Sequence, residues 1–235
     1  MVRGVHRNFG HLKTTNVNAM KKVLVINASP RGDRSHSRKL TQLFIQKWQQ
    51  DAPGDTIIYR EVGQANIPHI TEAWIASAFT PPHKLTLAQK QTLELSNQLV
   101  AEFKSADVYV IGTPMHNWSI PSGFKAYIDH LMRFNLTWTF ESGKPDGKYV
   151  GLVNDKKMYI LTSRGDTGYN QGEHNEHMNF QTPYLRTVFG IMGIKDITEV
   201  TLENEEYGGQ TFQDSLAKTH QRIADLFKKS PQYND

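Results

Sequence analysis

The chain contains no cysteine. Disulfides, thiolate metal sites, iron–sulfur clusters and cysteine nucleophiles are thereby excluded, and the composition fits a reducing cytoplasm. No run approaches the roughly 18 consecutive apolar residues that a membrane-spanning helix needs. No Gly-x-Gly-x-x-Gly is present, which removes the usual dinucleotide fingerprint. Acids are missing from the first 32 residues, where Arg3, Arg7, Lys13, Lys21, Lys22 and Arg31 stand unopposed. The rest of the chain carries the other 21 bases and all 23 acids, so the net charge of +4 belongs to one end. A basic end on a slightly acidic body is not the basic face that nucleic-acid binding requires. Apolar residues at 38% and charged ones at 21% exclude a disordered chain, and 235 residues suit one domain with an appendage. Residues 1–20 lack apolar periodicity and the continuous apolar segment of a secretory signal. They are expected to form a flexible extension ahead of a single domain over 21–235.

From Lys22 onward, strand and helix patterns alternate. Val23 to Ile26 is a short β-branched run that ends in a turn, as a parallel strand buried on both faces does. Ser35 or Ser37 can cap a helix whose apolar face is Leu40, Leu43, Phe44 and Trp48. Further strands are expected at Thr56–Val62, Asp107–Gly112, Lys157–Thr162 and Asp196–Leu202. Helices are expected at Leu87–Ala106, Ser122–Phe134, around Tyr184, Val188 and Phe189, and at Thr211–Lys229. Residues 63–86, with Pro68, Pro81 and Pro82, read as irregular. The pattern implies an α/β protein with a five-stranded parallel sheet and helices on both faces. Ligands on such sheets bind beyond the carboxyl ends of the strands, so the loops after strands one, three and four are the places to look.

The first of these loops, Ser29 to Ser37, offers hydroxyls on Ser29, Ser35 and Ser37, free amides at a helix start, and Arg31 and Arg34. That set suits a phosphate, although an ordinary capped helix reads the same way. The second, Thr113 to Ser122, offers backbone amides and Asn117 for the edge of a flat heteroaromatic ring. Met115, His116 and Trp118 supply its stacking faces. The same side chains would equally serve as core filling.

Together the motifs resemble those of the FMN-dependent NADH-azoreductases, relatives of the flavodoxin-like quinone reductases. The resemblance runs over about 21–230. It rests on Ser29 with Ser35-His36-Ser37, Pro114-Met115-His116-Asn117-Trp118 before Ile120-Pro121-Ser122, Lys125-Ala126-Tyr127-Ile128-Asp129, Ser163-Arg164-Gly165, and Phe180-Gln181-Thr182-Pro183-Tyr184-Leu185. It implies a flavodoxin-like three-layer sandwich with strand order 2-1-3-4-5, and a homodimer with FMN near the interface. By position, Ser29, Ser35, His36 (through its backbone) and Ser37 would hold the FMN phosphate. Pro114, Met115, His116, Asn117 and Trp118 would line the ring, and Ser163, Arg164, Gly165 and Asp166 would close its other side. His116 and Trp118 stand where the family often has Tyr and Phe, and Asp166 where it often has a second Gly. A carboxylate there opposes the charge of reduced flavin, so its side chain is expected to point away.

The activity implied is a two-electron, ping-pong transfer of a hydride from NADH or NADPH through flavin N5 to a quinone, azo compound or nitroaromatic. No general acid is evident; His116 could donate a proton or simply pack. The alternative is a flavodoxin-like electron carrier or flavin-binding module without turnover, against which the near-neutral body argues. No metal is expected: His174 and His177 read as solvated side chains of a polar loop. Gly143 to Lys148 is one residue short of a Walker loop, and no nucleophile elbow supports a hydrolase.

Overall fold

The computed structural model describes residues 19–142 and 148–228. Most of the 1–20 extension and the Gly143–Gly147 stretch lie outside the described residues. Five parallel strands form the central sheet: β1 (Lys22–Asn27), β2 (Thr56–Glu61), β3 (Val108–Pro114), β6 (Lys157–Ser163) and β7 (Asp196–Leu202), in the order β2-β1-β3-β6-β7. β4 (Trp138–Glu141) and β5 (Lys148–Gly151) pair antiparallel as a separate ribbon. The expected fourth and fifth strands are therefore β6 and β7, and the expected order 2-1-3-4-5 differs only in numbering. Register is continuous, with Val23 opposite both Ile57 and Val108, and Tyr109 opposite Met158.

Period-two alternation within each apolar run sends neighbouring side chains to opposite faces. Val23, Val25, Val108, Val110 and Leu161 pack with Leu40 and Phe44 of α1 (His36–Asp51) and Ile223 of α7 (Gly209–Asp225). Leu24, Ile26, Tyr109, Ile111 and Ile160 pack on the other face. Their partners there are Leu99 and Phe103 of α4 (Glu94–Ser105), Phe124 and Tyr127 of α5 (Ser122–Leu131), and Leu185 and Phe189 of α6 (Thr182–Met192). Each such side chain buried from water stabilises by roughly 1.5–3 kcal/mol before chain entropy is charged. Among the described residues no helix is long and apolar enough to cross a membrane.

Three expectations need correction. Residues 63–86 are not wholly irregular: α2 (Glu72–Ala78) is capped by Thr71, whose hydroxyl accepts from the Trp74 N–H at 3.2 Å, and it buries Trp74. Seven residues are too few to show a helical period. The long helix is jogged at Leu93 (φ −90°, ψ −4°) into α3 (Leu87–Thr92) and α4. The hydrogen-bond chain survives the jog, through Leu93 N–H to Gln89 O at 3.1 Å and Asn97 N–H to Leu93 O at 2.9 Å. Finally, α5 stops at Leu131 rather than Phe134. The Thr137 hydroxyl donates to Leu131 O at 2.7 Å and accepts from the Arg133 N–H at 3.1 Å, so a side chain takes the place of the next helical turn.

Candidate cofactor site

The carboxyl ends of the strands are stitched together in series by backbone hydrogen bonds. Ala28 N–H donates to Gly112 O at 2.8 Å, Met115 N–H to Ser163 O at 2.8 Å, and Arg164 N–H to Leu202 O at 2.9 Å. The loops after β1, β3, β6 and β7 thus share one rigid rim. Along it runs a crevice of about 250 Å³ whose walls include Ser29, Ser35, His36, Pro114, Met115, His116, Ser163 and Gly165. Eight of the residues expected from sequence meet there. A cavity of about 300 Å³ shares Met115 and Gly165 with it and adds Asn117, Trp118, Asp166 and Tyr169. Another of about 650 Å³ shares His116 and is walled by Asn117, Ile120, Lys125, Phe180 and Tyr184.

At the first loop, Ser35 is the cap of α1: its Oγ accepts from the Arg38 N–H at 3.3 Å. The next two N–H groups, of His36 and Ser37, have no partner within the helix and carry the positive end of its dipole. Ser29 Oγ accepts from the Arg31 N–H at 3.2 Å, leaving its hydroxyl proton to donate. Ser37 is fully buried, with its Oγ 3.2 Å from that of Ser35, so it supports the cap from behind. Of the two expected arginines only Arg31 borders the crevice; Arg34 is exposed outside it. Arg38 is tied to Glu61 at 2.6 Å and donates to Ser29 O at 3.2 Å, which fixes the backbone bearing the Ser29 hydroxyl.

At the second loop β3 ends on Pro114, which lacks an N–H to extend the ladder. His116 and Ser119 then exchange backbone hydrogen bonds of 2.9 Å each, closing a two-residue turn. Both central residues have positive φ, Asn117 at 47° and Trp118 at 63°. Asn tolerates that region, but a tryptophan there is strained by roughly 1–2 kcal/mol. The turn is held by Phe180, whose N–H donates to Trp118 O at 3.0 Å. The strain is spent on presenting an indole that is half exposed. Trp118→Gly is expected to relax the turn, raising the thermal midpoint by about 3 °C for about 1 kcal/mol regained. Calorimetry showing a fall instead would mean that the indole's contacts outweigh the strain. Burial, aided by the Arg31 guanidinium, holds the His116 imidazole below its ordinary range, so the ring is neutral at neutral pH.

At the third loop the structure separates the expected residues. Ser163 and Gly165 face the crevice. The Arg164 side chain does not: it is 1% exposed, donating through Nε to Gln181 Oε1 at 3.1 Å and through Nη1 to Glu203 at 3.3 Å, and stacking on Tyr169. Burial lowers its pKa against the opposing pull of Glu203. Only the Arg164 backbone can contribute to the rim. The Asp166 carboxylate accepts from the Thr167 N–H at 2.7 Å, the Tyr207 hydroxyl at 2.9 Å and Asn175 at 3.3 Å. These bonds, the backbone one foremost, keep it below the usual carboxylate range.

Two acids not expected from the sequence motifs also wall the crevice, Glu205 and Glu206 of the β7–α7 loop. The rule that points to strand ends would have found them had it been carried to the last strand as well.

The model of the flavodoxin-like fold family matches residues 21–227. The FMN-dependent NAD(P)H:quinone oxidoreductase 1 of Pseudomonas aeruginosa is 41% identical over 212 residues, covering 90% of this chain and all of that protein. The FMN-dependent NADH:quinone oxidoreductase 1 of Trichormus variabilis is 43% identical over 207 residues, covering 88% of this chain and 96% of its own length. Among solved structures, an azoreductase from Bacillus anthracis superposes with a TM-score of 0.79 at 24% identity, over 88% of this chain and 99% of that one, which speaks for the fold. Identity at that level along nine-tenths of the sequence, on a rim built as described, means that the chain belongs to the family of FMN-dependent NAD(P)H:quinone oxidoreductases, within the flavodoxin-like fold.

Proposed function

We infer that the protein is an FMN-dependent oxidoreductase that passes a hydride from NADH or NADPH to quinones or azo compounds. One observation carries the reading: a helix-cap phosphate cradle lines the crevice, and a strained aromatic turn at the end of the adjacent strand borders it through His116 and the adjoining cavity through Asn117 and Trp118. The donor set fits FMN. The His36 and Ser37 amides with the Ser29 and Ser35 hydroxyls suit a phosphate. Pro114, Met115, His116, Asn117 and Trp118 suit a planar ring, with Ser163 and Gly165 at its far side. The Arg164 side chain has no part in holding it, because it is committed to Gln181 and Glu203.

When bound, FMN supplies the two-electron chemistry that no protein side chain can. The chain's own residues bind, orient and exclude water. The Met115–Ser163 and His116–Ser119 bonds use the N–H groups of Met115, His116 and Ser119 and hold the turn rigid, which leaves the Asn117 and Trp118 N–H groups to serve a ring edge with little reorganisation. Trp118, Phe180 and Tyr184 offer apolar walls to the 650 Å³ cavity and its neighbour, which favours flat aromatic acceptors. His116 sits where two of the cavities meet, and because burial and the Arg31 guanidinium disfavour its charged form it suits packing or a ring-nitrogen hydrogen bond to the acceptor better than proton delivery. The cavity is broad enough to accept quinone, azo and nitroaromatic rings alike, and one face serves nicotinamide and acceptor in turn.

A homodimer in the cytoplasm completes the proposal. The exposed aromatic side chains of Trp118, Phe134, Phe140, Tyr149 and Phe180 support the dimer, since a monomer gains nothing by leaving them in water. The test is direct. Purified protein saturated with FMN should oxidise NADH or NADPH with benzoquinone as acceptor, and failure with both nucleotides would overturn the reading.

A further inference from the structure

Within the crevice, Glu205 reaches across from the opposite wall to the phosphate cradle. Arg31 Nη1 lies 3.0 Å from Glu205 Oε1, and the same oxygen is 3.6 Å from His36 Nε2. Arg31 belongs to the β1–α1 loop and Glu205 to the β7–α7 loop, 174 residues apart in sequence. Glu205 is anchored from behind by its own N–H on Arg164 O at 3.4 Å. Glu206 follows with its N–H on Gly165 O at 2.9 Å and its carboxylate laid against the Gly165 α-carbon. The lining thus holds two carboxylates against one guanidinium. Arg38, on the first turn of α1, is already held by Glu61. A phosphate dianion arriving at the Ser29–Ser35 cradle meets a surplus of negative charge, and the guanidinium that lines the crevice among the described residues, that of Arg31, is already engaged.

We propose that Glu205 competes with the flavin phosphate for Arg31, so that this residue sets how tightly the protein holds a phosphorylated flavin. The proposal rests on the FMN reading given above. With flavin absent, the pair compensates the charge of the crevice and keeps the Arg31 side chain across its mouth. With flavin bound, the guanidinium turns from carboxylate to phosphate, a stronger and geometrically similar partner. Glu205 is then left beside an anion. Because the pair is partly solvated, the competition is worth a modest factor rather than orders of magnitude.

The experiment is titration of the flavin-free protein with FMN and, separately, with riboflavin, which shares the ring but lacks the phosphate. Binding is read as quenching of flavin fluorescence at fixed ionic strength. Glu205→Gln is expected to tighten FMN about fivefold while leaving riboflavin unchanged, and Glu205→Ala should do the same. Arg31→Gln alone should weaken FMN, and in the Arg31→Gln background the gain from Glu205→Gln should vanish, because the two residues act on one contact. The proposal is overturned if Glu205→Gln leaves FMN affinity unchanged or weakens it. It is equally overturned if riboflavin tightens in step, or if the gain persists without Arg31, which would make Glu205 a bystander charge. Wild-type protein that binds neither flavin would sink the FMN reading itself, an outcome separate from any difference between variants.

Discussion

Gly63→Ala is expected to lower the thermal midpoint by about 10 °C and to cost most of the affinity for FMN. Gly63 follows β2, and its N–H donates to Asn27 O at 3.0 Å, which draws it against the end of β1. A methyl group placed there would lie 2.2 Å from Ser29 O and 2.6 Å from the carbonyl carbon of Ala28. Those are main-chain atoms of the cradle itself, so no side chain can swing aside to make room. The β1–α1 loop must move or the β2 end must detach, and Ser29 moves with the first. Overpacking of this kind costs about 3 kcal/mol, which for a domain of this size is roughly 10 °C. Differential scanning calorimetry and an FMN titration check the two halves. A variant within about 1 kcal/mol of wild type by denaturant melts would show that the loop yields freely and that the close approach is not a constraint.

Much of this arrangement can be read without coordinates, because the signals are strong where burial is complete. β1, β3 and β6 are buried on both faces and announce themselves as continuous apolar runs closed by turn residues. Their ends predict the rim, and Ser29, Ser35, Met115, His116 and Ser163 do gather on it. Elements short of a full period stay hidden. The β4–β5 ribbon is four residues a side, and α2 only seven. The Lys-Pro-Asp-Gly stretch between two short aromatic runs was the available hint for the ribbon. Side-chain direction is the other thing a linear motif withholds. Ser163-Arg164-Gly165 reads as one unit, yet alternation along the strand turns Ser163 and Gly165 to the crevice and Arg164 into the protein. Glu205 and Glu206 carry no recognisable motif, and only the convergence of the strand ends brings them beside Arg31.

Arg164 therefore yields the second large effect, and one that separates a structural role from cofactor binding. Arg164→Met keeps the length and most of the volume of the side chain but removes the charge and the donors. It leaves the Glu203 carboxylate, 17% exposed, facing a thioether, and takes from the fully buried Gln181 its partner on Oε1. Removing one member of a buried pair typically costs about 3–5 kcal/mol, since the survivor remains desolvated and uncompensated. The expected fall in midpoint is about 10 °C, measured on flavin-free protein so that ligand linkage does not enter. Adding Glu203→Gln to Arg164→Met should recover part of that loss by discharging the stranded carboxylate, although Glu203 also accepts from the Thr167 hydroxyl at 3.0 Å and the recovery will be incomplete. Were the guanidinium instead a ligand of the flavin, the single variant would melt like wild type and show its defect only in the FMN titration. The two outcomes do not overlap, because the flavin-free midpoint registers the buried pair and is blind to a lost cofactor contact.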